Sequence, residues 1–134
     1  MIALDSSVVI ACFGHWHEHH AVARSTLASD PRLPAHAGLE AYSVLTRLPE
    51  PFRAEPGLVA EFLSRAFRAD RLLLDAVAQA ALPERLAGLG ISGGSVYDAV
   101  IGLTACAAGA ELVTLDRRAL GNYERCAVPA RLLA

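Results

Sequence analysis

Four carboxylates, Asp5, Glu40, Asp98 and Asp116, stand where a parallel α/β sheet would present them together. Asp5 ends the apolar run Ile2-Ala3-Leu4, and Asp116 ends Leu112-Val113-Thr114-Leu115, so both read as carboxyl ends of strands. Side chains two apart on a strand share a face, which sets Thr114 beside Asp116 while Val113 and Leu115 pack the other way. Asp98 lies one turn into a helix expected to begin at Ser95, and Glu40 lies near the start of another. Helices that follow parallel strands begin at the same carboxyl edge, where such sheets bind their ligands. Four acids gathered there without a basic partner would be driven to protonate. A divalent cation relieves that repulsion: Mg²⁺ or Mn²⁺ takes oxygen ligands and leaves positions for water and phosphate. Such a site suits in-line hydrolysis of a phosphodiester, with metal activating water and steadying the leaving oxygen. Singly, each acid has an ordinary structural use as a helix cap or turn former. Their shared location makes the chemical case.

The elements that must position these acids alternate. The pattern predicts a strand over residues 2–5, a turn at Ser6 and Ser7, and a helix through Phe13. Residues 29–34 carry two prolines and read as a loop or very short strand. A helix from Gly38 to Leu48 follows, with Leu39, Tyr42, Leu45 and Leu48 on one stripe and Glu40 at its flank, stopped by Pro49 and Pro51. Leu58, Val59, Phe62, Leu63, Ala66 and Phe67 pattern as an amphipathic helix, Arg71 to Leu74 as a strand, and Asp75 as the cap of a helix running toward Leu89. After Gly90, Gly93 and Gly94, a helix spans Ser95 to Ala108 with Gly109 as its C-terminal stop. A strand at Glu111 to Asp116, a short helix around Ala119 and an apolar edge at Arg131 to Leu133 complete the chain. Strand-helix alternation at this spacing implies a strongly twisted parallel sheet with helices on both faces, and 134 residues imply one domain, residues 1–134. A negatively charged cleft is expected at the strand ends.

Composition narrows the classes. With 54% hydrophobic and 19% charged residues the chain is globular rather than disordered. No apolar stretch is long enough to cross a bilayer and no signal peptide opens the sequence, which predicts a cytoplasmic protein with no membrane partner. Cys12, Cys106 and Cys126 fit neither a disulfide framework nor a zinc ribbon and read as buried or idle thiols. The net charge of −2 becomes +2 when the four candidate ligands are set aside. All twelve basic residues are arginine.

Arg117 and Arg118 directly follow Asp116 and are candidates to hold phosphates beside the metal, since arginine's forked donors match phosphate oxygens; a solvated helix start is the plainer use. Arg65, Arg68 and Arg71 read as a solvated face with partner binding as a second use. Phe62, Phe67, Leu63 and Leu58 read as core. His15, Trp16, His17, Glu18, His19 and His20 lack the His-Glu-x-x-His zinc spacing, so this segment reads as an exposed connection that contacts RNA or protein more readily than zinc.

The segments Ile2-Ala-Leu-Asp-Ser-Ser-Val-Val-Ile10, Leu39-Glu-Ala-Tyr-Ser-Val-Leu45, Tyr97-Asp-Ala-Val-Ile101 and Leu112-Val-Thr-Leu-Asp116 resemble, in order, the four acidic motifs of PIN-domain nucleases. The resemblance runs from residue 2 to about residue 133 and is strongest to VapC-type toxins. It implies a PIN fold, Mg²⁺- or Mn²⁺-dependent endoribonuclease activity on RNA, homodimerisation, and inhibition by a small cognate antitoxin protein. Asp5 and Asp98 would be the main metal ligands, Asp116 a supporting ligand, Glu40 a ligand or water-positioning base, and Thr114 the hydroxyl residue two before the last acid. Three other classes are weighed. An aspartate-nucleophile phosphatase of the haloacid dehalogenase kind needs a second aspartate where this chain has Ser7, and an active-site lysine. A phospho-receiver domain needs the same lysine, and there is none. A module that grips RNA or protein without cutting would gain by losing the four acids.

Overall fold

The centre of the structure is a short strand buried on both sides. In the computed structural model, which describes Met1–Ala134, β2 (Glu111–Thr114) pairs in parallel with β1 (Ile2–Leu4) on one side and β3 (Ala130–Leu132) on the other. Leu4 lies opposite Val113, and Thr114 opposite Leu132. Leu112, Val113 and Thr114 point alternately to the two faces and all are fully buried, so helices cover the sheet on both sides, as an all-parallel sheet requires.

Isolated bridges continue the parallel order beyond β1, from Ala3 to Arg32 and from Pro34 to Leu72. The expected strand at Arg71 to Leu74 is thereby reduced to one residue. Leu72 donates to Leu33 O at 3.0 Å and accepts from Ala35 N at 2.9 Å, but Pro31 and Pro34 have no N–H with which to lengthen the ladder. Leu73 is left exposed.

Seven helices fill the intervals: α1 (Ser6–Phe13), α2 (His20–Ser25), α3 (Ala35–Thr46), α4 (Pro56–Ala66), α5 (Ala76–Gly88), α6 (Ser95–Ala107) and α7 (Arg117–Arg125). Side-chain caps explain most of their starts. Asp75 accepts from Ala78 N at 2.8 Å to begin α5, as the sequence suggests, and Glu55 caps α4 ahead of Pro56. Gly109 leaves α6 with φ +75, a conformation that costs glycine little.

α3 departs from expectation. It begins at Ala35, behind Pro34, rather than at Gly38, and its buried face is Ala37, Gly38, Ala41 and Leu45. The helix packs through small residues: a Cβ at Gly38 would sit 3.1 Å from Leu33 Cδ2. Leu39 and Tyr42, expected on the inward stripe, are therefore exposed. On α4 the same correction applies to Leu58, which is exposed while Val59 and the following Phe67 are buried. Twenty-six buried residues form one continuous core. No helix is long and apolar enough to cross a membrane.

Candidate active site

β1 ends where Asp5 N donates to Val113 O at 3.1 Å, and the chain turns there into α1. Asp5 is the N-cap: its Oδ1 accepts from Ser7 N (3.1 Å), Ser7 Oγ (2.5 Å) and Val8 N (3.4 Å). Its Oδ2 accepts from the Tyr123 hydroxyl at 2.8 Å. The carboxyl is almost wholly enclosed, with 2% of the residue exposed. That burial raises its pKa above the usual carboxyl value, while the hydroxyls of Ser7, Thr114 and Tyr123 and the Val8 N–H pull it back.

β2 delivers the second pair. Thr114 is fully buried, its Oγ1 accepting from Asp116 N at 3.0 Å and lying 3.3 Å from Ser7 Oγ. Ser7 Oγ accepts in turn from Leu115 N at 2.9 Å. One hydroxyl pair thus ties the ends of β1 and β2 together. Asp116 is the N-cap of α7, accepting from Arg118 N (2.9 Å) and Ala119 N (3.3 Å) through Oδ1 and leaving Oδ2 free.

Asp98 sits in the first turn of α6, half-buried, and its Oδ2 accepts from Asn122 Nδ2 at 3.1 Å. Asp98 therefore has a neutral partner. Burial raises its pKa first, and the charges of Glu40, Asp116 and Asp5 raise it further. Glu40, on the second turn of α3, accepts through Oε1 from the Ser6 hydroxyl. All four predicted acids share one field.

No cation answers them. The ion pairs of the chain engage Glu18, Glu50, Glu61 and Glu111 instead. The donors are all oxygen, which fits a hard divalent ion. No three acid, histidine or cysteine side chains stand close enough together to form a ready-made cage.

Arg117 and Arg118 are exposed at the start of α7 and enter no ion pair, beside Asp116. Arg71, expected on a solvated face with Arg65 and Arg68, is instead tied to the carbonyls of Phe67 (2.7 Å) and Leu63 (3.2 Å) at the end of α4. Arg65 pairs with Glu61 at 2.8 Å. The histidine segment lies at the carboxyl end of α1, away from the acids at its amino end. There His17 Nδ1 accepts from His19 N, His20 Nδ1 contacts Ala11 O, and Trp16 packs on Phe52 with centroids 5.3 Å apart.

The largest cavity, about 700 Å³ between α5 and α6, contains none of the four acids. Geometry at the strand ends is the better guide to chemistry here, because a polar cleft open to water encloses little volume. A smaller hollow of about 330 Å³ does reach the site, bounded by Glu40, Tyr97, His36 and Arg47.

The PIN-domain model matches residues 2–125 of the chain. The chain belongs to the PIN-domain family. It is 46% identical over 133 residues to Ribonuclease VapC40 of Mycobacterium tuberculosis, covering 99% of each chain, in both strain CDC 1551 / Oshkosh and strain H37Rv. It is 41% identical over 128 residues to Ribonuclease VapC27 of strain H37Rv, covering 95% of this chain and 93% of that one. This PIN domain thus has VapC relatives along nearly its whole length.

Sequence reasoning located the acids but not the groups that hold them. Ser6 and Ser7 read as turn residues, and Asn122 and Tyr123 attracted no notice. A signal existed for Tyr123: Asp116, Ala119 and Tyr123 fall at i, i+3 and i+7, one face of α7.

Proposed function

We propose that this PIN domain is a metal-dependent endoribonuclease and the toxin of a toxin-antitoxin pair. The observation that carries the reading is geometric: α7 contacts Asp5, Asp98 and Asp116, Glu40 is tied to Ser6 beside Asp5, and none of the four acids enters an ion pair. Asp5 and Asp98 would hold Mg²⁺ or Mn²⁺, with Asp116 through its free Oδ2 and Glu40 in support. When bound, the ion supplies an activated water and charge stabilisation at the phosphate. Glu40 keeps Oε2 free to orient that water, its other oxygen being fixed by Ser6. Thr114 fixes the turn at Asp116. Arg117 and Arg118 hold the RNA phosphates that flank the scissile bond.

The names of the VapC relatives support an RNA substrate and a cognate antitoxin protein. A groove of about 510 Å³ in which Arg24, Arg65 and Arg68 outnumber Asp30, around Leu27 and Phe62, offers an acidic, partly apolar antitoxin segment a seat. Homodimerisation is supported by Leu39, Leu73 and Val77, which are 67%, 74% and 81% exposed; large exposed apolar residues in one region mark association surfaces. A cytoplasmic site of action follows from the RNA substrate.

The test is cleavage of total cellular RNA by purified protein freed of antitoxin, with Mg²⁺ or Mn²⁺, against EDTA and against Asp98→Asn. Discrete fragments that vanish in both controls are expected. Intact RNA with either metal would reassign the domain to binding without cleavage.

A further inference from the structure

Two consecutive residues of α7 reach two different acids. Tyr123 Oη donates to Asp5 Oδ2 at 2.8 Å and Asn122 Nδ2 donates to Asp98 Oδ2 at 3.1 Å. The same helix is capped by a third acid, Asp116. One nine-residue helix therefore contacts three carboxylates that come from β1, α6 and β2.

The contact with Asp5 is built rather than incidental. Tyr123 is fully buried, and α6 gives way to its ring at Gly102, where a Cβ would lie 2.8 Å from Tyr123 Cδ1 and 3.3 Å from Cε1. A phenol placed in the core needs a partner for its hydroxyl, and this one finds it only by crossing to the strand end. Ser7 and Val8 fix Oδ1 of the same carboxylate, so with Tyr123 on Oδ2 both oxygens of Asp5 are held. Asp98 is held on one oxygen and free on the other.

We infer that Tyr123 and Asn122 are positioning residues for the metal-binding carboxylates. They fix Asp5 and Asp98 in the orientation that receives the ion, and they do so with neutral donors that leave the negative charge of the cluster intact. An arginine or lysine in either place would neutralise the acids and compete with the ion. The inference rests on the metal-dependent reading above. Partners that orient ligating groups characteristically contribute about 10–100-fold to metal affinity.

The experiment measures Mn²⁺ affinity by calorimetry on the full chain, alongside metal-free melting temperature. The variants are Tyr123→Phe, which keeps the ring, and Asn122→Ala, which removes a half-buried amide and spares the core if the phenylalanine variant folds poorly. Glu124→Ala, exposed on the same helix, is the control. Each variant is expected to remain folded and to bind Mn²⁺ about 10–100-fold more weakly, with the control unchanged. Affinities within twofold of wild type in both folded variants overturn the inference while leaving the metal site standing. Loss in one variant alone confines the role to that residue. Wild-type protein that takes up no Mn²⁺ overturns the metal-dependent function and this inference with it.

Discussion

Asp98→Asn should stabilise the metal-free protein while removing its response to metal. The side chain keeps its size, and the new carbonyl oxygen can still accept from Asn122, so what disappears is the charge that Glu40, Asp116 and Asp5 oppose. Asp5 and Asp98 both have pKa values raised above the ordinary 3.8. Above that value the folded chain holds more protons than the unfolded one. The contribution of these two groups to metal-free stability is therefore greatest at or below the unfolded carboxyl range and falls as pH rises toward the folded values. Removing one such charge is worth about 0.5–2 kcal/mol by analogy with other charge optimisations, and solvent screening at half-exposed Asp98 favours the lower half of that range. For a chain of this length that is a rise of roughly 2–6 °C in Tm. Mn²⁺ at about a hundredfold over its Kd adds about 2.7 kcal/mol to wild type, so the order of the two proteins inverts. Thermal melts near pH 5 and near pH 8, in EDTA and in Mn²⁺, read all of this. A variant less stable than wild type in EDTA at the higher pH, or one that gains from Mn²⁺ as wild type does, would refute the reasoning.

Other perturbations test separate parts of the structure. Cys12 and Cys126 are buried, the Cys12 thiol pushed up to about 11 by burial, whereas Cys106 is exposed; a thiol reagent should titrate one group in native protein and three in denaturant. Ala127 has φ 55, in the left-handed region. Relief of that strain by Ala127→Gly, less the entropic cost of glycine, should stabilise by about 0.5–1 kcal/mol, and a lowered melting temperature would count against it. Leu39→Glu combined with Val77→Asp should convert a dimer to a monomer by light scattering without lowering the metal-free melting temperature, since both side chains are exposed; an unchanged mass moves the association surface elsewhere.

The elements most legible in the sequence are those with local chemistry. Asp75 announces α5 by its own hydrogen bond, and Gly109 ends α6 through its own φ. Leu112, Val113 and Leu115 are apolar whichever face they meet, so β2 needs no knowledge of its neighbours. Failure begins where the neighbour decides. Leu39 and Tyr42 obey helical spacing as well as Ala37 and Ala41 do, but close approach to Leu33 requires the small residues inward. Leu72 to Leu74 has strand composition, yet the prolines of the preceding segment leave it only one partner. The four acids were legible because strand ends and helix starts place them by topology alone. Tyr123 was not, since its use depends on a space opened at Gly102 on another helix.

The acids also show how the fold tolerates its own site before any ion arrives. Asp5 caps α1, Asp116 caps α7, and Asp98 lies in the first turn of α6. Three of the four negative charges thus stand at helix amino ends, where unsatisfied N–H groups and the helix dipole favour them by about 0.3–1 kcal/mol each at exposed positions and up to about 2 when partly buried. These contributions are of the same order as the repulsion that Asp98→Asn is expected to relieve. The helix ends thus offset part of the mutual repulsion of the cluster at the sheet edge. The offset differs from acid to acid. Asp5 accepts hydrogen bonds from two backbone N–H groups and two hydroxyls, and an amide there would turn donors toward donors. Asp5→Asn should therefore destabilise the metal-free protein, opposite in sign to Asp98→Asn, although both changes remove one charge from the same site.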